Sequence, residues 1–584
     1  MAYLPLVTLR RLILVVGALV VVAVGWLGWH AWQLNKDLSA TVEDANDLQS
    51  ALRTGDPAAA LAASESLQEH VGSASDLTDG QTWSVIRTLP FLGDDADGLR
   101  LVSHVLEDLS VDGVAPLAED ASDLNVVLPV DGRVDVDRLV ALQAPVGTAR
   151  EAFASADDRL SDQDSGGFVG PLRSKYDELA DRVSEAAGLL DTADRGLRVL
   201  PTMLGADGPR SYLLVFQNNA EIRALGGLPG AISVVTADDG RLEMTTQTTA
   251  VAMGEADQPA LPLTPAEQEI YGAQLGTYFL DANWTPSFPR AADLMRARWQ
   301  QKMGNDVDGV LMVDPVAMSY VLGVTGPVEV GPATLSGANV VESLLHQIYL
   351  LVDRTDEQDE LFKETARKVF DELVTGGANP QRLLAALGRG VTEHRLLVHS
   401  FDPAEQAAIE GTAVAGEHTD GSADSPQVGI YLNDNTGAKM SYFLTEENEA
   451  EATTCHDGVQ TIEGVTRFTS DAPTDAATSL PAYVTGGGRY GIPPGAQLVA
   501  MRIYGPVGGT IDRVVIDGEA VEKFDVVDHD GRPVTTVYPY LDPQATQEIG
   551  WTVTSGPQQA GDVRLAMTPG VQPVDSSSTL PTAC

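Results

Sequence analysis

The chain has 584 residues, more than one compact domain holds, so about three or four structural units are expected. It carries 83 acidic side chains against 37 basic ones, a net charge of −46. Such a surface repels nucleic-acid phosphates and anionic lipid headgroups, which excludes both as general partners.

The N-terminal segment predicts a membrane anchor. An unbroken apolar run begins directly after Arg10 and Arg11, and Leu12–Trp32 would span about 30 Å, the thickness of a bilayer's hydrocarbon core. The two arginines favour a single-pass topology, with residues 1–11 cytoplasmic and the bulk of the chain extracytoplasmic. A cleaved signal peptide is the alternative, although the run is long and no small-residue cleavage site follows it.

Residues 33–200 predict an all-helical bundle or stalk. Apolar residues recur at spacings of three and four, and Asp56-Pro57 provides a helix start. We expect the apolar stripes to bury one another, with partner-binding faces as the alternative. The striped segments are Leu34–Leu52, Pro57–Val71, Leu99–Leu109, Leu139–Phe153 and Leu172–Leu190.

Residues 206–445 predict an α/β or α+β core, because strands and helices alternate along this part of the chain. The predicted strands are Tyr212–Phe216, Ala231–Thr236, Leu242–Thr245, Gly309–Val313, Val328–Val330 and His394–Ser400. The predicted helices are Pro289–Met303, Pro315–Leu322, Val340–Asp353 and Glu357–Leu373.

Residues 446–584 predict an antiparallel β-sandwich of immunoglobulin-like type, ending in a polar linker, Asp575–Thr582. From Val428 onward the helical patterns stop, and short strands are separated by Gly and Pro. These strands are Gly429–Leu432, Met440–Phe443, Leu498–Tyr504, Arg513–Ile516 and Val563–Met567.

Only two cysteines occur, Cys455 and Cys584. A protein exported to an oxidising compartment commonly has few cysteines or pairs them. A disulfide between these two would close a long loop and contribute roughly 4–5 kcal/mol in the chain-entropy model. Two unrelated thiols are the alternative.

Common catalytic motifs are missing from the sequence, including the phosphate loop, HExxH, GxSxG and CxxC. The polar stretch Gln217–Arg223 follows the first predicted strand of the core, where open α/β sheets often bind ligands. The glycine-rich turn Gly226–Gly230 after it would let a ligand approach the backbone. This stretch supplies the ligand-binding candidates Asn218, Asn219, Glu221 and Arg223. The alternative is a polar turn in which Arg223 pairs with Glu221 or another acidic neighbour.

Two further stretches contain candidate residues. Asn283 lies in the Asp281–Trp284 segment, and Arg290 lies near the start of the next predicted helix, where the helix dipole does not favour a cation. A buried anion, a carboxylate partner or simple exposure would each explain Arg290. The stretch Leu432–Lys439 predicts a β-hairpin loop, with a ligand role as the alternative.

These stretches resemble a bacterial envelope family catalogued as domain of unknown function 4012. The similar segments are FQNNAEIRALGGLPGAISVVTADDGRLEM at 216–244, DANWTPSFPRAADLMRARWQ at 281–300, DVDGVLMVDPVAMSYVLGVTGPVEV at 306–330 and VGIYLNDNTGAKMSYFL at 428–444. The resemblance covers about 206–445, and TLPFLGDDADGLRLV at 88–102 extends it into the helical part. It implies an envelope protein whose relatives often accompany surface-polysaccharide genes, and it implies little about activity.

More distantly, the strand–helix–strand order and the 306–330 segment are similar to LytR-CpsA-Psr proteins. Those are membrane-anchored phosphotransferases that move lipid-linked glycopolymers onto peptidoglycan, using an R-S-D-T element and a second R-D pair. Arg223 matches the first arginine, but Gly226–Gly230 fills the position of the metal-binding aspartate, and no R-D pair follows Met244. A pyrophosphate–magnesium site needs carboxylates there, so the resemblance implies a shared fold in which that catalysis is lost or rebuilt.

The expected fold class is therefore multidomain: an N-terminal transmembrane helix, an all-α stalk, a LytR-CpsA-Psr-like α/β (α+β) core and a C-terminal β-sandwich. The expected function is to support assembly or attachment of cell-surface glycopolymers as a binding or scaffolding component, with lipid-linked or cell-wall glycan as partner. No cofactor or metal is expected. The alternatives are a divergent phosphotransferase acting on a lipid-pyrophosphate glycan, which would need Mg²⁺, and a purely structural stalk protein.

Overall fold

The computed structural model describes residues 44, 46–48, 50, 51, 56–88, 93–119, 128–418, 424–572 and 576–584. The predicted transmembrane segment Leu12–Trp32 lies outside these residues, as does most of the first helical stripe. None of the helices in the described ranges is long and apolar enough to cross a bilayer.

The described chain divides into two units. The first comprises the described residues up to Glu119 together with Asp135–Pro201. Its first long helix is capped by Asp56, whose side chain accepts a hydrogen bond from the Ala59 amide. The helices of this part of the chain are α1 (Pro57–Asp79), α2 (Gln81–Ile86), α3 (Gly93–Asp108), α4 (Ala115–Glu119), α5 (Val136–Ser161) and α6 (Gly170–Met203), with a π-helical turn at Leu109–Val114.

The apolar stripes of this first unit pack on one another. The largest cluster joins Val105 of α3, Leu160 of α5 and Tyr176 of α6, all buried, with Phe168 between them. Amphipathic helices of this length depend on such mutual burial for their stability.

The second unit comprises Leu128–Val134 and Thr202–Cys584 and contains the strands. Its first sheet has the order β3-β2-β1-β4-β7, in which only the β1–β4 pair is parallel. The Asp239-Gly240 turn joins β2 to β3, and both residues have positive φ, as a tight hairpin turn requires. These strands are β1 (Arg210–Arg223), β2 (Gly226–Asp238), β3 (Arg241–Thr249), β4 (Gly309–Val313) and β7 (Leu396–Ser400).

Helices cover this first sheet. Trp299 and Phe288 of one long helix pack on Leu213 and Val310 of the sheet, and all four side chains are buried. A small hairpin pairs β5 (Val328–Val330) with β6 (Ala333–Leu335). The helices here are α7 (Ala250–Met253), α8 (Pro265–Tyr271), α9 (Gln274–Thr277), α10 (Phe288–Met303), α11 (Pro315–Thr325), α12 (Val340–Glu342), α13 (Ile348–Leu351), α14 (Thr355–Thr375), α15 (Pro380–Thr392) and α16 (Pro403–Ile409), with a π-helical turn at Ser343–Gln347.

Two further sheets of the second unit share one apolar core. One has the order β13-β12-β17-β10-β9, and the other has the order β14-β15-β11-β8-β18-β19, with β16 also paired to β11. Phe468 and Trp551 from the first of these sheets pack with Ile430 and Met501 from the second. The strands are β8 (Gln427–Asp434), β9 (Leu444–His456), β10 (Val459–Ser470), β11 (Gln497–Tyr504), β12 (Thr510–Ile516), β13 (Glu519–Ala520), β14 (Val527–His529), β15 (Arg532–Val537), β16 (Tyr540–Leu541), β17 (Thr546–Thr554), β18 (Val563–Met567) and β19 (Ser577–Leu580), with two short helices, α17 (Ala476–Ser479) and α18 (Ala482–Thr485).

The predicted fold class is wrong. Across the described residues the chain is α+β, with helices and several sheets, two of which mix parallel and antiparallel pairs, and no membrane-spanning helix is among them. Of the two alternatives predicted for the core, α/β and α+β, the first is wrong, because tight turns join the first strands of the core and a tight turn can only produce antiparallel neighbours. Strand β8 also belongs to a sheet of C-terminal strands, since it pairs with β11 and β18.

Three local predictions are also wrong. Met440–Phe443 is a 3₁₀ turn instead of a strand. Leu432–Lys439 does not close a hairpin, because β8 pairs with β11 and β18 and not with the next strand, β9. Residues 577–580 of the predicted linker form β19, which pairs with β18.

The C-terminal residue is tied back to the strands by a disulfide. Cys455, near the end of β9, is bonded to Cys584, 129 positions later in the sequence. The bond therefore closes a covalent loop that contains the C-terminal strands from β10 to β19.

Candidate functional site

The polar stretch Gln217–Arg223 is the second half of strand β1, and every residue of it is buried. In an ordinary half-exposed strand, alternate residues would face water. Here Ile222 donates its amide to Ser441 Oγ (3.2 Å), and Ala224, just after the strand, donates its amide to Asn433 Oδ1 (3.2 Å). The predicted loop is therefore a strand that other parts of the same unit cover on both faces.

Glycine allows this strand to meet its partner closely. The pairing of β1 with β2 shifts register between Asn218 and Ile222, which marks a bulge. At Gly227 of β2, a Cβ atom would lie 2.3 Å from the carbonyl carbon of Asn218 and 2.4 Å from the amide nitrogen of Asn219. The predicted Gly226–Gly230 turn is thus the start of β2, and Gly227 is needed for close approach of backbone to backbone.

Arg223 lies in a buried ion network. Its Nη2 is 2.8 Å from Glu221 Oε1 and 3.4 Å from Asp281 Oδ1, and its Nη1 donates to the carbonyl of Ile222 (3.1 Å). The guanidinium also lies 5.7 Å from the ring of Trp284. Only 4% of Arg223 is exposed, so its charge is balanced within the protein.

Lys439 completes this network from another segment of the chain. It is buried and donates to the second carboxylate oxygen of Glu221. Burial opposes ionisation of Glu221, but Lys439 and Arg223 lower its pKa below the ordinary value. Burial also opposes the ammonium of Lys439, yet Glu221 raises the pKa of that lysine above the ordinary value.

Two further carboxylates lie close to Arg223. Burial raises the pKa of Asp281 to about 6, although Arg223 partly offsets the effect. Burial and the charge of Glu221 raise the pKa of Asp434, whose side chain accepts from the amides of Thr436 (3.0 Å) and Gly437 (2.6 Å). The network therefore contains three carboxyl groups and two cations, so it offers no excess of positive charge to an anion.

The three candidate asparagines are buried, and the side-chain nitrogen of each donates a hydrogen bond within the protein, whereas Oδ1 of Asn219 and Oδ1 of Asn283 have no partner among the described residues. Asn218 donates to the hydroxyl of Tyr349, and Asn219 donates to Asp314 Oδ2 (3.0 Å). Asn283 donates to the carbonyl of Gly227 (2.8 Å) and so braces the close β1–β2 approach.

Asp314, the acceptor for Asn219, belongs to a second group of buried ion pairs. Asp314 Oδ2 lies 2.7 Å from Nη1 of Arg395, and Nε of Arg395 lies 2.7 Å from Glu393 Oε2. Asp314 also caps helix α11 through the Ala317 amide (2.8 Å). Arg395 is fully buried, and its charge is compensated within the protein by these carboxylates.

Arg290 has a separate carboxylate partner. It makes a bidentate pair with Glu267, with Nε–Oε1 at 2.6 Å and Nη2–Oε2 at 3.0 Å. Glu267 also accepts from the Thr264 amide and so forms the capping box of helix α8. This partner accounts for a cation at the start of helix α10, where the dipole does not favour one.

The structure therefore joins Glu221 and Arg223 directly, and it places Asn218, Asn219 and Asn283 around the same bulged hairpin. Among the described residues, the Arg290 side chain hydrogen-bonds to Glu267 and Pro262 and not to the residues around this hairpin. Sequence reasoning left Lys439, Asp314 and Arg395 out of the candidates. Lys439 lies in the quoted Leu432–Lys439 stretch, but its partner Glu221 is 218 positions away, and no spacing rule shows such a pair.

A pocket opens beside the network, and we call it the β1 pocket. Its walls come from β1, α13, α14 and the segments around residues 439 and 483. In the described part of the chain no group of three or more His, Cys, Asp or Glu side chains is placed to hold a metal ion. The pocket-lining residues used below are Phe216, Asn218, Tyr349, Asp359, Phe362, Lys439 and Tyr483.

Fold and site together define an α+β protein with a buried ion network at the end of its first strand. Residues 207–349 match the model of the family described as "Protein of unknown function (DUF4012)", and this part of the chain belongs to that family, as predicted. No curated protein and no solved structure matches the chain. The similarity to LytR-CpsA-Psr proteins stays a prediction.

Proposed function

We propose that this protein supports the assembly or attachment of cell-surface glycopolymers as a binding or scaffolding component of the bacterial envelope. The observation that carries the proposal is the state of Arg223. Its guanidinium is buried and held by Glu221 and Asp281. Its Nε has no hydrogen-bond partner among the described residues, but that N–H is buried, whereas an arginine that binds a transferred pyrophosphate must present its free donors to the ligand.

The charge balance of the network supports binding over phosphoryl transfer. Phosphotransferases stabilise a strongly anionic group with cationic side chains and metal ions that are not neutralised by the protein. Here both cations, Arg223 and Lys439, already face carboxylates. A pyrophosphate would have to displace Glu221 from two partners at once.

An extracytoplasmic location is part of the proposal. The Leu12–Trp32 segment would anchor the chain, and the Cys455–Cys584 disulfide is of the kind that persists in oxidising compartments. Family members often accompany surface-polysaccharide genes, which supports a glycopolymer as the partner.

The proposal is tested by deleting the gene in the bacterium that carries it. Wall-attached glycopolymer and its lipid-linked precursor are quantified in the deletion strain and after complementation with the wild-type chain. We expect attached polymer to fall in the deletion strain, the precursor to accumulate, and the wild-type chain to restore both. Unchanged polymer and precursor levels would refute the proposal.

A charge-balanced double variant separates scaffolding from phosphotransfer. Arg223→Gln with Asp281→Asn removes one cation and one carboxylate and leaves the Glu221–Lys439 pair intact. A binding protein carrying this double substitution should restore attached polymer to the wild-type level, provided that its melting temperature shows it is folded. A folded double variant that restores no polymer would favour the phosphotransferase instead.

A further inference from the structure

The β1 pocket combines aromatic walls with polar groups at its base. Tyr349 and Phe362 lie with their ring centroids 6.4 Å apart, and Tyr349 and Tyr483 with theirs 5.8 Å apart. Tyr483 is 49% exposed, so the pocket opens to solvent on its side. Lys439 and Asn218 line the same pocket.

Two of these polar groups have donors to spare. The Lys439 ammonium has three N–H donors, and its one hydrogen-bond acceptor within the described ranges is Glu221. The ring of Tyr483 lies 5.4 Å from its Nζ. The hydroxyl of Tyr349 accepts from Asn218, and its own proton has no acceptor among the residues described.

An acceptor faces the same space. Asp359 is half-buried on α14 and lines the pocket, and no hydrogen-bond donor to its carboxylate is found in the described part of the chain. The pocket thus offers donors, an acceptor and apolar ring faces together. Groups that both donate and accept hydrogen bonds satisfy such a lining best.

We propose that the β1 pocket binds one uncharged sugar residue of a surface glycopolymer. A sugar ring has an apolar C–H face that packs on the rings of Tyr483 and Phe362. Its hydroxyl oxygens accept from Lys439 and Tyr349, and a hydroxyl donates to Asp359. This inference rests on the proposed function and adds the site and the chemical class of the ligand.

The lining fits other envelope ligands less well. A phosphate or pyrophosphate would meet Lys439, whose charge Glu221 already balances, and would be repelled by Asp359. An isoprenoid chain would remove Lys439 and Asp359 from water without giving either a hydrogen bond, which is unfavourable. Of these three ligand classes, only the sugar can form hydrogen bonds with the polar groups of the pocket and also pack on its aromatic rings.

The test uses the purified full chain in a detergent that has no sugar headgroup. Probes are neutral oligosaccharides released from the surface polysaccharide of the bacterium that carries the gene, together with cellotetraose, maltotetraose and an N-acetylglucosamine tetramer. Farnesyl phosphate and inorganic pyrophosphate test the other two ligand classes. Saturation-transfer NMR and calorimetry should show at least one neutral sugar bound at one per chain, and neither anionic probe competing with it.

Matched tyrosine variants locate the site. Tyr483→Ala should weaken sugar binding at least 10-fold, and Tyr483→Phe should retain it. Tyr538→Ala, a change at a similarly exposed tyrosine that does not line the pocket, should leave sugar binding unchanged. The inference would be overturned if no neutral sugar bound, or if Tyr483→Ala left sugar binding unchanged. It would also be overturned if farnesyl phosphate bound in place of the sugar.

The binding experiment and the gene deletion distinguish an error in the pocket inference from an error in the proposed function. If gene deletion lowers attached glycopolymer while no sugar binds the chain, the pocket inference is refuted and the proposed function stands. If sugar binds through Tyr483 while deletion leaves the glycopolymer unchanged, the proposed function is refuted and the pocket stands.

Discussion

Arg223 shows how a residue can look functional in sequence and be structural in the fold. It follows a run of amides and precedes a glycine-rich stretch, a pattern typical of ligand loops. In the structure its guanidinium is shared between Glu221 and Asp281 in a fully covered strand. Removing one partner of such a buried pair leaves a charge without compensation, which costs more than removing both.

The first prediction compares single and double substitutions at this pair. Arg223→Gln alone should lower the free energy of unfolding by roughly 3 kcal/mol, because Asp281 loses its cation partner and Glu221 keeps only Lys439. Arg223→Gln combined with Asp281→Asn should recover most of that loss. Thermal unfolding of both variants beside the wild type measures the difference, and equal destabilisation by the two variants would contradict the assigned pairing.

The second prediction concerns a carboxyl group on β9. Burial raises the pKa of Glu446 from 4.5 to about 7, with Asn448 Nδ2 donating to it at 2.6 Å. Between these two pKa values the folded state holds the proton more tightly than the unfolded state does. The free energy of unfolding contributed by Glu446 therefore falls as the pH rises from about 4.5 to about 7 and is constant above it.

Glu446→Gln keeps the acceptor oxygen and removes this titration. Relative to the wild type, the variant should gain roughly 2 kcal/mol of stability between pH 5 and pH 8. Glu447→Gln, at the exposed neighbouring position, is the control and should track the wild type. Denaturant unfolding at both pH values gives the comparison, and a Glu446→Gln curve parallel to the wild type would disprove the burial effect.

At the scale of elements, the β1–β2 hairpin depends on the close approach at Gly227. Gly227→Ala should destabilise the second unit by several kcal/mol, because the added Cβ meets the backbone of Asn218 and Asn219, which cannot move aside. Gly323→Ala is the matched control, since Gly323 is exposed on helix α11 with nothing within 4 Å of its Cβ position. The control should be neutral or slightly stabilising. Equal melting temperatures for the two variants would argue against the tight approach.

Elements with a clear local pattern were predictable from sequence. Gly309–Val313, Val328–Val330 and Val563–Met567 begin and end where the apolar runs indicated. The second half of β1 was not predictable, because it is covered by segments more than 200 positions away, where Ser441 accepts from the amide of Ile222 and Asn433 accepts from the amide of Ala224. Propensity rules weigh local composition, and burial of this kind is set by tertiary contacts.

The candidate site was predicted only in part for the same reason. The residues around Glu221 and Arg223 were found because they are adjacent in sequence. Lys439, the other partner of Glu221, comes from a distant loop that has ordinary turn composition. Arg395 and Asp314 lie 81 positions apart, so no local pattern in the sequence indicates that they pair.

At the scale of the whole molecule, the disulfide constrains the C-terminal strands. Cys455→Ser with Cys584→Ser should lower the stability of the folded chain by roughly 4 kcal/mol, since the closed loop spans 129 positions. Melting temperatures of the oxidised wild type, the reduced wild type and the double variant measure the effect. Identical values for all three would show that the bond contributes nothing to stability.

Gln217–Arg223 is a buried structural strand that joins the first sheet to the C-terminal strands of its unit, and we propose ligand binding only for the neighbouring β1 pocket. Hydrogen exchange of the native chain tests the burial of this strand most directly, because buried, hydrogen-bonded amides exchange only when the structure around them opens. Amides of Asn218–Arg223 are expected to exchange as slowly as those of β11, Gln497–Tyr504. Exchange as fast as that of the exposed Gly487–Gly491 turn would show that this strand is not held in a stable, buried structure.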